Sequence, residues 1–207
     1  MILFVNACVR EASRTKRLAM RLLSRLNDTV EEVRLEDIRF PKADEAFLQA
    51  RDKHIAERDF SDSMFDLARQ FAAADTIVIA APFWDMSFPA MLKQYLEQVT
   101  VTHLTFFYSE EGIPQGLCRA KKLYYVTTAG GTIFHEEYGF GYVRALAENL
   151  FGISQTEMIK AEGLDIVGAD VEGILRQAED MIDRMELDRA RPGDSKMMED
   201  VVLKTVR

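Results

Sequence analysis

Three short stretches carry residue types at spacings that can do chemistry. The first, "CVREASRT" (residues 8 to 15), sets two hydroxyls, Ser13 and Thr15, and two guanidinium groups, Arg10 and Arg14, at the start of an amphipathic helix. Free backbone N–H groups, hydroxyls and arginines together suit a phosphate monoester. Arg14, Lys16 and Arg17 crowd a helix terminus whose dipole favours acids, a conflict that a bound anion resolves. The competing reading is that Ser13 simply caps the helix and the basic residues are solvated. With no glycine, the stretch is neither a Walker loop nor a dinucleotide fingerprint. Cys8 reads as a small buried residue rather than a reactive thiol, because no histidine lies in local sequence to activate it.

The second stretch, "APFWDMSFPAM" (81 to 91), follows an apolar strand and gathers Phe83, Trp84, Met86 and Phe88 with neither a 2 nor a 3.6 period. A flat apolar ligand lying on this loop accounts for them, with the backbone N–H groups of residues 84 to 86 at its polar edge. Packing of an extra loop or a subunit contact is the alternative. The third, "TTAGGTIF" (127 to 134), ends a strand in Gly130 and Gly131. Two glycines permit close backbone approach and positive φ, so that consecutive N–H groups converge on one acceptor. A diglycine alone is usually just a turn; the conjunction of three such loops is the signal.

The elements that must position these loops alternate. Apolar runs at residues 2 to 7, 29 to 35, 76 to 81, 121 to 128 and 153 to 161 read as strands. Between them lie helical patterns at 13 to 26, 64 to 75, 89 to 99 and 142 to 152. Pro89 opens the third of these at its first helical position, Gly152 stops the fourth, and a last helix spans 169 to 190. Strand–helix alternation gives a parallel sheet covered on both faces. The fold class is therefore α/β, a flavodoxin-like three-layer sandwich with five parallel strands in the order 2-1-3-4-5. In that order the loops after strands 1, 3 and 4 meet at the carboxyl edge of the sheet, where open α/β sheets bind ligands.

The chain of 207 residues, 48% hydrophobic, suits a single domain over residues 1 to 207. Two segments exceed the minimal unit: a charged, helical insertion at about 41 to 60, and a loop or hairpin at about 103 to 117. Either is surface decoration or a lid. The tail after Pro192 is free to move or to clasp a partner. A net charge of −8 excludes a broad basic surface for nucleic acid. Two cysteines and three histidines show no metal-ligand spacing. No run of 18 apolar residues occurs, and the N-terminal apolar segment precedes its charges, the reverse of a secretory signal. These features lead us to expect a cytoplasmic protein with no membrane partner.

At the three loops the sequence resembles the FMN-dependent NAD(P)H:quinone oxidoreductase and azoreductase family. The likeness covers most of the chain and includes "TFFYSEEGIPQGL" and "FGISQTEMIKAEG". The family's Ser-Pro-Arg-x-x-Ser-x-Ser/Thr loop stands here as residues 8 to 15, which implies Arg10, Ser13, Arg14 and Thr15 as ligands of the FMN phosphate. Its Pro-Met-Tyr-Asn-Phe loop matches Pro82, Phe83, Trp84, Asp85 and Met86, with backbone against the isoalloxazine and an N–H near N5; Trp84 and Asp85 would position the ring. Its Ser-Arg-Gly-Gly loop matches Thr128, Ala129, Gly130 and Gly131, implying contacts to the pyrimidine end. Three positions depart from the pattern: Cys8 for serine, Ala129 for arginine, and Asp85, an acceptor-only carboxylate, for asparagine.

The resemblance implies a two-electron, ping-pong oxidoreductase in which NADH or NADPH donates hydride to FMN and a quinone, azo or nitroaromatic compound then binds the same face. It implies no catalytic side chain, only orientation and N–H dipoles from Gly130 and Gly131. It implies a homodimer with the site at the interface, so residues 41 to 60 and the "FFYSEEG" segment become candidates for a partner-supplied wall. His135 is either at the cavity mouth or an exposed loop residue. The rival enzyme-free reading is a flavodoxin-type FMN electron carrier without NAD(P)H oxidase activity, which needs no lid. A receiver domain of the same fold fails because strand 1 ends "VNACVR", without the acids that class needs. A relative that has lost flavin is the third possibility, with Cys8 and Asp85 as its markers.

Overall fold

The computed structural model describes residues 1–187. Strand β1 (Ile2–Asn6) is buried along its whole length, as a central parallel strand must be. Helix α1 (Arg14–Leu26) follows, then β2 (Val30–Arg34), α2 (Glu45–Glu57), α3 (Asp66–Ala73), β3 (Thr76–Ala80) and α4 (Ala90–Val99). Next come the short strands β4 (Phe106–Tyr108) and β5 (Pro114–Gly116), then β6 (Lys122–Thr128), α5 (Phe140–Leu146), β7 (Gln155–Ala161) and α6 (Val171–Arg184). The main sheet has the order β2-β1-β3-β6-β7 with every pair parallel, which is the expected 2-1-3-4-5 pattern with β4 and β5 set apart. Those two pair antiparallel as a hairpin within the 103 to 117 segment.

Strand alternation splits the core into two layers. Leu3, Val5, Ile77, Ile79 and Tyr125 face α3, α4 and α5, where Phe71, Tyr95 and Phe151 fill the space. Phe4, Val78, Ala80 and Val126 face α1 and α6, against Leu18, Leu22, Leu175 and Ile182. Register puts Asn6 beside Ala80 and Ala80 beside Val126, so the loops after β1, β3 and β6 leave the same edge of the sheet. Because β2 and β3 flank β1 on opposite sides, the chain reverses its direction of winding at β1, and the loops after β1 and β3 diverge to open a crevice.

Helix ends follow local chemistry. Ser13 caps α1 by accepting from the Lys16 N–H, and Gly152, at φ 74°, ends the turn that continues α5. Several boundaries differ from expectation by a few residues, two of them instructively. Pro89 occupies the cap position rather than the first helical residue, with α4 starting at Ala90. Helix α6 ends at Arg184 instead of running to 190: Met185 is extended, and the Arg25 guanidinium of α1 takes the carbonyls of Ile182 and Met185. The tail after Pro192 lies outside the described residues.

Within residues 41 to 60, helix α2 covers Glu45–Glu57 and contributes no buried residue. It docks through Arg51, which donates to the carbonyls of Glu97 and Thr100 at the end of α4. Burial pushes the Arg51 guanidinium down from its ordinary value. Phe47 and Leu48 of α2 border a separate groove with Leu96, Tyr142 and Leu146.

Candidate functional site

A cavity of about 460 Å³ opens at the crevice beside β1, within the size range of small-molecule sites. It is lined by Arg10, Ser13, Arg14 and Thr15 from the loop after β1, Pro82, Phe83 and Trp84 from the loop after β3, and Thr128, Ala129 and Gly130 from the end of β6. Asp85, Met86 and Gly131, expected with them, lie outside the lining.

The first loop presents donors. The hydroxyl oxygen of Ser13 accepts from the Lys16 N–H at 3.2 Å and keeps its O–H to donate, and the Thr15 hydroxyl meets that of Thr128 at 2.6 Å. The backbone N–H groups of Arg14 and Thr15 and the side chain of Arg10 have no acceptor among the described residues. Arg14 donates to Asp165 Oδ1 at 2.8 Å. Cys8 lines the cavity floor, and its N–H donates to Asn6 Oδ1 at 2.9 Å. Burial pushes its thiol above the ordinary value, as befits a small buried residue and not a nucleophile.

The second loop is a two-residue hairpin turn. Trp84 and Ser87 exchange N–H···O bonds of 2.9 and 2.8 Å, while Asp85 at φ 50° and Met86 at φ 66° are both left-handed. This is the backbone of a type I′ turn, which normally takes Asn-Gly. The Trp84 N–H is therefore committed to Ser87, contrary to the expectation that residues 84 to 86 all offer theirs. Those of Asp85 and Met86 have no acceptor among the described residues. Phe83 donates to the Thr128 carbonyl at 3.0 Å, pinning this loop to the third, and Ser87 Oγ donates to the Tyr138 carbonyl. Trp84 is 38% exposed at the rim.

The third loop corrects the reason for its glycines. Neither Gly130 nor Gly131 has positive φ. At Gly130 a Cβ would lie 2.4 Å from Asp165 Oδ2, the end of an exposed side chain that can turn aside. At Gly131 a Cβ would meet open space. The N–H groups of both have no acceptor among the described residues. His135 is exposed, bonded to Glu137 at 2.8 Å, and does not line the cavity.

Leu164 and Asp165 also line the cavity, and sequence reasoning missed them. They belong to the loop after β7, beyond the three loops that the switch-point rule indicates. The turn signal at Gly163, which adopts φ 75°, was the only local clue. Among the described residues no His, Cys, Asp and Glu cluster could hold a metal, and no helix is long and apolar enough to cross a membrane.

The donor set fits FMN. A phosphate would meet the Arg14 and Thr15 N–H groups together with Arg10. An aromatic system would meet Phe83 and Trp84, and its polar edge the free N–H group of Gly130.

Comparison with known proteins agrees. A family model described as flavodoxin-like fold matches residues 1–185. The FMN-dependent NADH:quinone oxidoreductase 2 of Clostridium acetobutylicum is 49% identical over 114 residues, 53% of this chain and 56% of that protein. The match to that relative thus spans little more than half of its length. The FMN-dependent NADH:quinone oxidoreductase of Coprothermobacter proteolyticus is 32% identical over 183 residues, 83% of this chain and 90% of that protein. The crystal structure of azoreductase from Bacillus anthracis str. Sterne superimposes with a TM-score of 0.75 at 25% identity, covering 87% of this chain and 95% of that one. From the sheet order, the crevice at β1 and a family match over nearly its whole described length, this chain belongs to the flavodoxin-like fold family.

Proposed function

We propose that this chain is an FMN-dependent NAD(P)H oxidoreductase that reduces quinones and azo compounds by two electrons in a ping-pong cycle. The observation that carries the proposal is the meeting, in one cavity, of a phosphate-type donor set and a separate aromatic rim. Similarity to proteins named for NADH:quinone oxidoreduction supports it.

When bound, FMN would supply the two-electron redox chemistry between nicotinamide and acceptor. The chain's own residues bind and orient. Arg10, Arg14, Ser13 and the N–H groups of Arg14 and Thr15 hold the phosphate at the start of α1. Pro82, Phe83 and Trp84 flank the ring, with the N–H groups of Asp85 and Met86 available at the neighbouring turn. Thr128 and Ala129 shape the far wall, and the Gly130 and Gly131 N–H groups favour negative charge at the pyrimidine edge, each such donor being worth roughly 3 kcal/mol. No general acid or base is assigned to a side chain.

The active unit in this reading is a cytoplasmic homodimer. Helix α2 and the β4–β5 hairpin stand away from the cavity of their own chain, which leaves them available to wall a partner's. The test is an absorbance spectrum of the purified protein followed by anaerobic titration with NADH and NADPH, then turnover with a quinone. Flavin bleaching by either nucleotide and sustained turnover support the enzyme. A flavin that neither nucleotide reduces would favour the electron-carrier reading, and a colourless protein that cannot be reconstituted with FMN would defeat both.

A further inference from the structure

Arg14, the first residue of α1, and Asp165, in the loop after β7, meet across the cavity wall. Arg14 donates through one nitrogen, Nη1, to Asp165 Oδ1 at 2.8 Å and to the Leu164 carbonyl at 3.5 Å. Its Nε and Nη2 have no partner among the described residues. Asp165 is itself held in place. Its N–H donates to the Gly130 carbonyl at 2.9 Å, the Leu164 N–H to Ala129 at 3.2 Å, and the Gly163 N–H to Gly131 at 3.0 Å. Its carboxylate rests against Gly130, where a Cβ would come within 2.4 Å of Oδ2.

We propose that Asp165 is a positioning residue for the cofactor phosphate: it grips one edge of the Arg14 guanidinium and turns the remaining donors toward an anion in the cavity. The inference rests on the FMN reading above. A guanidinium is planar with its donors in a fixed fork, so fixing Nη1 restricts the whole group. The pair is solvent-exposed, 40% and 70% for the two side chains, so its Coulomb attraction contributes little. Its value lies in ordering a flexible side chain before the ligand arrives.

The opposite effect is also physically defined. A carboxylate beside an anion site that only competes for Arg14 would weaken phosphate binding, and its removal would strengthen it.

The experiment compares dissociation constants for FMN and for riboflavin, which lacks the phosphate, in the wild type, Asp165→Ala and Asp165→Asn. Asp165 is largely exposed, so neither substitution removes buried packing. The expected result is that Asp165→Ala weakens FMN about fivefold with riboflavin unchanged. Asp165→Asn, which keeps an acceptor oxygen, restores most of the loss. An unchanged FMN-to-riboflavin ratio in Asp165→Ala overturns the proposal, and so does tighter FMN binding. A wild-type protein that binds neither flavin overturns the FMN reading itself, an outcome distinct from flavin binding that is indifferent to Asp165.

Discussion

The hydroxyl oxygens of Thr15 and Thr128 stand 2.6 Å apart in the interior, joining the first turn of α1 to the last residue of β6. Both residues are buried, at 1% and 8% exposure, so solvent competes little for the pair. The bond fixes the separation of the loops that carry the proposed phosphate and pyrimidine contacts. Thr15→Val leaves the Thr128 hydroxyl unpaired and is expected to cost about 1–3 kcal/mol in chemical denaturation. The double variant Thr15→Val/Thr128→Val removes both orphans and should cost less than the sum of the single changes. Strict additivity would show that the two hydroxyls are not coupled.

Met86 sits at φ 66° in the turn between Trp84 and Ser87, where an ordinary side chain is strained, and it is 52% exposed. Met86→Gly relieves about 1–2 kcal/mol of left-handed strain, partly offset by the freer unfolded chain. The expected outcome is unchanged or slightly raised stability. Met86→Val, β-branched at the same φ, is expected to lower it by about 1 kcal/mol or more. Thermal melts of the two variants check the ordering, and a valine variant as stable as the glycine one would contradict the left-handed assignment.

Gly116 and Gly131 should respond oppositely to alanine. A Cβ at Gly116 would lie 2.1 Å from the Gly152 nitrogen, backbone against backbone, and cannot be accommodated by a rotamer change. Gly116→Ala is expected to cost about 3 kcal/mol, at the upper end of overpacking penalties. Gly131 has open space around it and no left-handed φ, so Gly131→Ala is expected to stay within about 0.5 kcal/mol of the wild type. Any loss of FMN affinity in that variant would then report directly on backbone approach to the ring.

Acid sensitivity should run through the contact between α1 and α6. Hydrogen bonds from Arg17, at 2.7 and 3.0 Å, hold the Glu179 carboxyl below its ordinary value of 4.5. A carboxylate lowered on folding contributes stability that is complete above that value and is lost as pH falls through the lowered one. Glu179→Gln is therefore expected to lower the thermal midpoint slightly near neutrality, since the pair is partly exposed, and to flatten its decline below about pH 4.5 by the same small amount. A decline as steep as the wild type's would exclude this residue.

The buried runs of β1, β3 and β6 and the punctuation between elements made the sheet and its ligand edge readable from residue types alone. Ten of the thirteen residues proposed to hold FMN line one cavity because each loop follows directly on a strand whose place in the sheet the pattern determines. What escaped reading depends on contacts distant in sequence or on atypical local chemistry. The turn at Asp85 and Met86 lacks the Asn or Gly that normally announces a type I′ geometry. The contact between Gly130 and Asp165 joins positions 35 apart, and no local pattern links them. The end of α6 is set by an arginine of α1.

The central claim, that the crevice beside β1 binds FMN, is tested most directly through Trp84, the chain's single tryptophan and part of the cavity rim. Titrating flavin-free protein with FMN while following its fluorescence should give saturable quenching at one FMN per chain, reversed when FMN is removed. Tryptophan emission that FMN leaves unchanged, beyond the absorbance of the added flavin, would contradict it.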